Sequence, residues 1–224
     1  MTAPPNLPAA LFHHAARHPG EPWLFHAEGW DWRWRTWGEV AREVMARAEA
    51  LSEIAAESRY AFPYTARPED VILDLAVQAA GLVSAPNGQP LELSASELIV
   101  MAERIQSQIG PTKGRDIVVL GGSLEIPEER AMLSWATLAG AAVVLEPNPA
   151  LRVATAAWVR PTVFHGTAAE LTALRSWVEK EKKGWLRRRP RLPFRRLRSV
   201  LVTGFEALEE KAFWTERGVR VGRI

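Results

Sequence analysis

One segment of the sequence, Gly121-Gly122-Ser123, has the residue types and the position of an anion site. It lies where a predicted strand gives way to a predicted helix, and backbone N–H groups at a helix start can bind phosphate. The first turn of that helix contains Pro127, Glu128 and Glu129. The two carboxylates already complement the helix dipole and would repel a phosphate. The pattern therefore disfavours phosphate binding at this turn.

Three histidines near the N-terminus, His13, His14 and His18, also have a spacing that chemistry can use. His14 and His18 are four residues apart at the end of a predicted helix over 6–17, and four residues is a spacing that can hold a metal ion. The helical pattern stops at His18-Pro19-Gly20, which favours an ordinary surface helix end, and we predict no metal. The chain has no cysteine, which excludes disulfides, thiolate metal sites and cysteine nucleophiles.

Tryptophan and charged residues alternate over residues 30–35, in the second strand of a predicted β-hairpin. The period of two places Trp30, Trp32 and Trp34 on one face of the strand and the charged residues on the other. Such a face can stack nucleic-acid bases, but it more often covers a core or an oligomer interface. We expect an interface in a homo-oligomer, and we expect Trp37 in the next helix to extend the same apolar surface.

Basic residues concentrate in residues 180–198, which contain ten basic residues and one acid, Glu181. Because the whole chain carries +2, this segment carries about +9 and the rest about −7. Aromatic and aliphatic residues interleave with the arginines, a mixture typical of contact with an anionic membrane. The alternative is a solvated loop without a ligand, and we do not expect nucleic acid. The candidate residues are Trp185, Arg187, Arg188, Arg189, Arg191, Arg195 and Arg196.

The elements that position these residues follow from hydrophobic periodicity. Between residues 116 and 177, short apolar runs alternate with helical patterns through short connections. Runs such as IVVL and AVVL suit strands that are buried on both faces of a parallel sheet. We predict a three-layer α/β fold, a mostly parallel sheet flanked by helices, with a small N-terminal β-hairpin. The predicted strands of this sheet are 117–120, 142–145, 162–165 and 199–202.

Two capping boxes mark the starts of further helices. Thr36 with Glu39 predicts a helix that extends to about Glu57, and Ser94 with Glu97 predicts a helix that ends at Ile109. The residues after Glu57 are predicted to form a loop, followed by a helix near residue 68 and a short strand over 82–85. We expect one domain over 1–224, with a first half over 1–86 and a β-α-β half over 87–224 that includes the basic segment.

Two segments of the first half resemble a known family. They are TWGEVAREVMARAEAL (36–51) and RPEDVILDLAVQAAGLVSAP (67–86). They are similar to the N-terminal part of the adenylate-forming (AMP-binding) acyl-CoA synthetases, especially the long-chain fatty acid CoA ligases. RPTVF (160–164) and RRLRSVLVTGFEALEEKAFWTERGVRV (195–221) resemble later segments of the same family. The resemblance covers nearly the whole chain and implies a relationship to fatty acid metabolism.

The family's phosphate loop, TSGTTGxPKG, has only a remnant in this sequence. Gly88 and Pro90 resemble the end of that loop, and Ser94 lies in the segment that follows it. The array of serines, threonines and glycines and the lysine after the proline are replaced. A nucleotide triphosphate needs those N–H donors, hydroxyls and positive charge. The resemblance therefore implies that the cofactor site is degenerate, and we expect no bound cofactor.

A second departure concerns the family's glycine-rich turn, which packs near the acyl-adenylate. In this sequence the turn reads Thr203-Gly204-Phe205-Glu206, in which the phenylalanine adds bulk. Full-length members continue after the position of Gly218 to a YGxTE motif and a catalytic lysine, whereas this sequence stops at Ile224. The resemblance implies four candidates for the lining of an acyl groove: His165, Gly166, Thr203 and Gly204. It implies no catalytic residue in this sequence.

These departures imply a non-catalytic relative, a pseudoenzyme that acts as a binding or scaffold module. One alternative is an accessory protein that binds a fatty acyl chain or an anionic membrane, and a further alternative is a residual acyl-CoA ligase. The expected partners are a second copy of the chain, a fatty acyl ligand or anionic membrane surface, and a full-length acyl-CoA synthetase. No signal peptide or membrane span is recognisable, so we expect a cytoplasmic protein, or one peripheral at the inner membrane face.

Overall fold

The computed structural model describes residues 4–28, 31–88, 93–111, 116–121, 123–182, 196–203 and 208–224, with residues 180–182 and 208–209 as backbone only. The strands are β1 Pro22–Glu28, β2 Asp31–Thr36, β3 Arg59–Phe62, β4 Val83–Pro86, β5 Ile117–Leu120, β6 Ala142–Leu145, β7 Val163–Thr167, β8 Ser199–Thr203 and β9 Arg220–Arg223. The helices are α1 Leu7–Arg17, α2 Trp37–Leu51, α3 Pro68–Ala79, α4 Ala95–Ile109, α5 Pro127–Ala139, α6 Pro149–Val159, α7 Ala168–Lys182 and α8 Leu208–Thr215.

The main sheet of the described residues has seven strands in the order β2-β1-β6-β5-β7-β8-β9. Only the β1–β2 hairpin is antiparallel, while the other strand pairs of this sheet are parallel. One core cluster contains buried residues of α1 to α5, and a second contains buried residues of α6 to α8. The predicted three-layer α/β architecture with a mostly parallel sheet and an N-terminal hairpin is confirmed.

The central strand β5 shows why these runs become buried strands. Val118 and Leu120 point into the first core cluster, and Val119 between them points into the second. All three side chains are buried because helices cover both faces of the sheet. A strand in this position needs apolar residues without alternation.

The order of the strands reverses beside β5. The connection through α5 leads to β6 on one side of β5, and the connection through α6 leads back to β7 on the other side. In open α/β sheets, a crevice forms outside the carboxyl ends of the strands at such a switch point. This crevice lies next to Gly121, which directly follows β5, and next to His165, which lies near the end of β7.

Both predicted capping boxes are present. The Thr36 hydroxyl accepts from the Glu39 backbone N–H at 3.3 Å, and the Glu39 carboxylate accepts from the Thr36 N–H at 2.8 Å. Ser94 and Glu97 make the same reciprocal contacts at the start of α4. The confirmed boxes fix where two helices of the first core cluster begin.

The prediction for the end of α2 was wrong. The helix ends at Leu51, not near Glu57, because the Ser52 hydroxyl and backbone N–H both bond to the carbonyl of Glu49 and tighten the last turn. Ala55, which the predicted helix would have included, lies beyond this end and is exposed. Part of the predicted loop is strand β3, which pairs in parallel with β4 in a separate two-stranded sheet.

Candidate functional site at the carboxyl ends of the strands

Five polar side chains meet at the switch point, and we call them the switch-point cluster: Glu129, Arg152, His165, Glu170 and Thr203. Glu129 Oε1 lies 3.3 Å from His165 Nδ1 and 3.4 Å from Arg152 Nη1. Arg152 Nη1 also lies 3.4 Å from Glu170 Oε1. His165 Nε2 lies 2.7 Å from the Thr203 hydroxyl. The cluster thus joins two strands and three helices of both layers.

The fold brings these residues together because α5, α6 and α7 begin at the carboxyl ends of parallel strands. Glu129, Arg152 and Glu170 each lie near the start of one of these helices. Gly121 completes the arrangement, since a Cβ at this position would collide with the Arg152 guanidinium. Arg152 therefore reaches across the end of β5 to the opposite layer.

The cluster fills the crevice with its own charges. The exposed fractions of the side chains are 5% for Glu129, 12% for Arg152, 3% for His165 and 11% for Glu170. Two carboxylates surround one guanidinium, so the cluster adds no positive charge for a phosphate. Burying charges is costly unless they are paired. Here Arg152 lies 3.4 Å from both carboxylates, while Arg152 Nε, His165 Nδ1 and Glu170 Oε1 have no hydrogen-bond partner among the described residues.

A further acid reinforces this pattern at the end of β6. Glu146 is buried, and its carboxylate accepts from the Thr155 hydroxyl at 3.0 Å and from the Asn148 N–H at 3.1 Å. Thr155 belongs to α6, and Asn148 is the N-cap of the same helix. The carboxyl edge of the central sheet is therefore lined by acids that the protein itself satisfies.

The other side of α5 carries a second buried ion pair. Arg130 Nη2 donates to Asp74 Oδ1 at 2.9 Å, and Asp74 Oδ2 accepts from Gln78 at 2.8 Å. Tyr64 lies in the same region, and burial, followed by the charge of Asp70, raises the pKa of its hydroxyl above the usual value. This pair ties α3 to α5 and leaves the arginine occupied by an internal partner.

Three of the four acyl-groove candidates lie in this region. His165 and Thr203 belong to the switch-point cluster, and Gly166 packs against Phe164 and Glu170, which leave no room for a Cβ. Gly204 lies outside the described residues. The contacts of the described candidates are mostly polar, and the binding of an acyl chain there stays a prediction.

The remnant of the phosphate loop lies in the connection between β4 and α4. Gly88 occupies a turn with a φ of +76°, where glycine is favoured, and Ser94 caps α4 through Glu97. Pro90 lies outside the described residues. Because Ser94 bonds to Glu97, the hydroxyl that follows the remnant is already engaged in holding a helix.

The basic segment divides into two parts. Trp185, Arg187, Arg188, Arg189, Arg191 and Arg195 lie outside the described residues, so the predicted membrane contact stays a prediction. Arg196 is exposed. Arg198 differs from the expected solvated charge, because it makes a bidentate pair with buried Asp116 at 2.9 and 2.5 Å. One of the ten basic residues therefore takes part in a structural ion pair.

The tryptophans of the hairpin have separate environments. Trp32 stacks on Trp158 of α6 with ring centroids 5.2 Å apart, while Trp34 is exposed on the same strand. Trp30 lies outside the described residues. The prediction for Trp37 was wrong: it is buried and stacks on Trp23 at 4.3 Å in the core cluster of α1 to α5. The turn from strand to helix at Thr36 redirects its side chain.

The N-terminal histidines do not converge. His14 lies against Trp37, with its Nε2 3.3 Å from the carbonyl of Leu138, and burial lowers the pKa of its imidazole. His18 lies 3.6 Å from Glu21 at the surface. Within the described ranges, no group of three or more histidines, aspartates and glutamates is arranged to hold a metal ion.

Sequence reasoning missed most of the switch-point cluster. It placed Glu129 in a first turn where its carboxylate complements the helix dipole, but it did not predict that the residue is buried and paired with Arg152 and His165. It did not single out Arg152 or Glu170. The signal that was available is positional, since each residue lies near the start of a helix that follows a parallel strand.

Comparison with protein-family models and with curated protein sequences finds no match. Solved structures do match. The nonribosomal peptide synthetase FmoA3 has a TM-score of 0.77 at 15% identity, over 99% of this chain and 31% of that protein. The fatty acyl CoA synthetase of Mycobacterium tuberculosis has a TM-score of 0.73 at 13% identity, over 96% of this chain and 58% of that protein. This chain has the N-terminal fold of the adenylate-forming enzymes.

The adenylate-forming fold is also matched by a structure of an N-terminal subdomain alone. The N-terminal subdomain of NpsA from Klebsiella oxytoca has a TM-score of 0.69 at 15% identity, over 97% of this chain and 72% of that structure. The predicted resemblance is therefore confirmed for the fold. The chain spans about a third of the length of FmoA3 and somewhat over half of the mycobacterial synthetase. In the part of the chain that the structure describes, no helix is long and apolar enough to cross a membrane.

Proposed function

We propose that this chain is a non-catalytic acyl-CoA synthetase-like module that acts by binding or scaffolding. The observation that carries the proposal is the switch-point cluster, which fills the crevice where this fold class binds its ligands. Glu129 and Glu170 occupy the crevice together with the arginine that could otherwise meet an anion. A nucleotide triphosphate would have to displace that arginine from two buried carboxylates.

The connection between β4 and α4 supports the same proposal. Only eight residues, Asn87 to Ser94, join the strand to the helix, and their sequence is NGQPLELS. This sequence offers one glycine, one serine and no lysine, and that serine caps α4. Stabilising charge at a transferring phosphoryl group requires several positioned donors. The connection lacks the residue types for that array.

The test is calorimetric titration of the purified chain with ATP and Mg²⁺, beside a full-length acyl-CoA synthetase as positive control. We expect no binding heat from this chain and a normal isotherm from the control. Pyrophosphate exchange with a panel of fatty acids should likewise stay at the level of buffer. A dissociation constant in the micromolar range, or exchange above buffer, would overturn the proposal.

The scaffold role requires a macromolecular partner, and the sequence offers the full-length acyl-CoA synthetase as a candidate. A shared fold gives two such proteins related surfaces. The direct measurement is co-sedimentation of the purified chain with a full-length synthetase from the same cell. We expect a complex that survives excess ATP, because the proposed contact does not use the nucleotide site. A contact that ATP abolishes would contradict this part of the proposal.

A further inference from the structure

The strand β2 forms one edge of the seven-stranded sheet. It pairs with β1 on one side, and among the described residues no strand pairs with its other side. Along its six residues, Asp31–Thr36, the backbone N–H and C=O groups of alternate residues therefore point away from β1 to this free side. Such an edge is a template for another strand unless the protein protects it.

The face of β2 toward α6 is aromatic. Trp34 is 54% exposed and lies 6.3 Å from Phe25 of β1. Beside it, Trp32 stacks on Trp158, which is itself 64% exposed. Soluble monomers seldom leave several large aromatic side chains together in water. These rings lie beside the free edge, where a paired strand would cover them.

The opposite face of β2 carries charges of both signs. Arg33 pairs with Glu28 at 3.1 Å, and Arg35 pairs with Glu69 at 3.3 Å, both at the surface. Asp31 is exposed and makes no ion pair with any described residue. Along the strand, an acid without a described ion-pair partner, Asp31, is thus followed by two bases, Arg33 and Arg35, each of which pairs with an acid of its own chain.

This order selects one register for pairing with a second copy. A two-fold axis perpendicular to the sheet makes the two β2 strands antiparallel, with opposite residues on the same face. In one register, Arg33 lies opposite Arg33 of the second copy. Trp32 then lies opposite Trp34 of the second copy, and Asp31 lies opposite Arg35 of the second copy. Both aromatic pairs and both ion pairs are of kinds that stabilise neighbouring strands.

The competing register of equal length is unfavourable. In that register, Trp34 lies opposite Trp34 of the second copy, and Arg33 lies opposite Arg35. The two-fold axis repeats this contact, so the register contains two arginine–arginine contacts. Like charges directly opposite each other destabilise a sheet. Glu28 and Glu69 of each copy pair with these arginines in either register. The favoured register has one like-charge contact, Arg33 with itself, and two opposite-charge contacts between Asp31 and Arg35, whereas the competing register has two like-charge contacts and no opposite-charge contact. Edge charges that normally prevent pairing therefore permit this one alignment.

We propose that the chain forms a two-fold dimer through β2, with Arg33 opposite Arg33, Trp32 opposite Trp34 and Asp31 opposite Arg35. The main sheets of the two copies become one continuous sheet, and Trp34 and Trp158 lose their exposure. This dimer goes beyond the proposed scaffold role and holds whether or not the chain binds nucleotide.

The absence of cysteine makes the register testable by crosslinking. In Arg33→Cys the two thiols face each other at a Cα distance of about 4.5–5.5 Å, within reach of a disulfide. Mild oxidation should give a covalent dimer in high yield. The matched control is Asp31→Cys, whose two thiols lie four residues out of register, roughly 13 Å apart, and should stay reduced. Equal yields from the two variants, or no crosslink in Arg33→Cys, would overturn the register.

Charge reversal tests the ion pairs. Arg35→Asp places two acids opposite each other and should weaken the dimer at least tenfold in sedimentation equilibrium. Asp31→Arg combined with Arg35→Asp restores opposite charges and should recover most of the affinity. Circular dichroism of each variant controls for folding. A wild-type chain that sediments as a 24.9 kDa monomer at high concentration would contradict the proposal outright.

Discussion

Arg152 is the residue on which the carboxyl end of the sheet depends. It separates Glu129 of one helical layer from Glu170 of the other, and all three side chains are nearly buried. Without it, Glu129 and Glu170 would lose the cation that they share in this low-dielectric space. Desolvating an unpaired ion costs several kcal/mol, so the arginine stabilises the fold mainly by preventing that cost.

Arg152→Met should therefore lower the free energy of unfolding by roughly 3–5 kcal/mol. Urea denaturation followed by tryptophan fluorescence measures the change. The control is Arg104→Met, because Arg104 is exposed on α4. Adding Glu129→Gln and Glu170→Gln to the first variant should restore part of the loss, since the uncompensated charges are then gone. Equal stability of Arg152→Met and Arg104→Met would show that the cluster is energetically unimportant.

The helix caps are local stabilising features at the scale of single elements. At the start of α2, the Thr36 backbone N–H and hydroxyl lower the pKa of the Glu39 carboxyl, and in α4 the Ser94 hydroxyl and backbone lower that of Glu97. A lowered pKa in the folded state means that the ionised form favours folding. Both helices belong to the first core cluster, so their first turns help to place that layer.

Thr36→Ala should lower the free energy of unfolding by about 1 kcal/mol, because the Glu39 backbone N–H loses its acceptor and the Glu39 carboxylate loses the hydroxyl donor. The comparison variant is Ser107→Ala, an exposed position inside α4 where alanine favours the helix. Chemical denaturation at pH 7 distinguishes the two. No difference between these variants would mean that the cap is dispensable.

Glu39→Gln tests whether the stability contributed by this cap depends on pH. The folded-state pKa of Glu39 lies below its usual value of 4.5, so its contribution is complete above that value and is lost as the pH falls through the folded-state pKa. The wild type should therefore be more stable than Glu39→Gln at pH 7, and the difference should vanish as the pH falls below the folded-state pKa of Glu39. A difference that is the same at pH 7 and pH 3 would contradict the ionic origin of the cap.

What could be predicted from the sequence depended on how far apart the interacting residues are. The capping boxes span four residues and were found, as was β5, whose IVVL run has no polar position to give it another role. Strand β3 was missed because RYAF is short and pairs only with β4. The contact of Glu129 with His165 joins residues 36 positions apart and depends on the direction in which the chain crosses the sheet.

At the scale of the whole molecule, charge is unevenly distributed. The segment 180–198 holds ten of the 28 basic residues, and one of these, Arg198, is fixed to Asp116. The carboxyl edge of the sheet is lined by Glu129, Glu146 and Glu170 instead. An anionic surface would therefore be attracted by the basic segment and repelled by the candidate site.

Co-sedimentation with liposomes tests the basic segment. Binding to vesicles with anionic lipid should exceed binding to neutral vesicles, because each basic residue near the surface contributes about 1 kcal/mol. Replacing Arg187, Arg188 and Arg189 by serine should remove most of this binding. The matched control replaces exposed Arg42 and Arg104 by serine, which lie outside the segment. A duplex nucleic acid bound as well as the anionic vesicles, or retention of binding by the triple variant, would contradict a membrane role.

The position of the hairpin also has a consequence for how the protein is made. Strand β1 lies beside β6, and Leu24 is paired with Val143, so the hairpin docks on residues that the ribosome adds more than a hundred positions later. At a synthesis rate of about 5–20 residues per second, roughly 6–24 seconds pass between the synthesis of the tryptophan-rich hairpin and that of its neighbouring strand β6. During that interval its apolar face and both of its edges are available to chaperones and to other nascent chains. Because the first strands of the chain lie at the edge of the finished sheet, beside a strand that is synthesised much later, they remain exposed during translation.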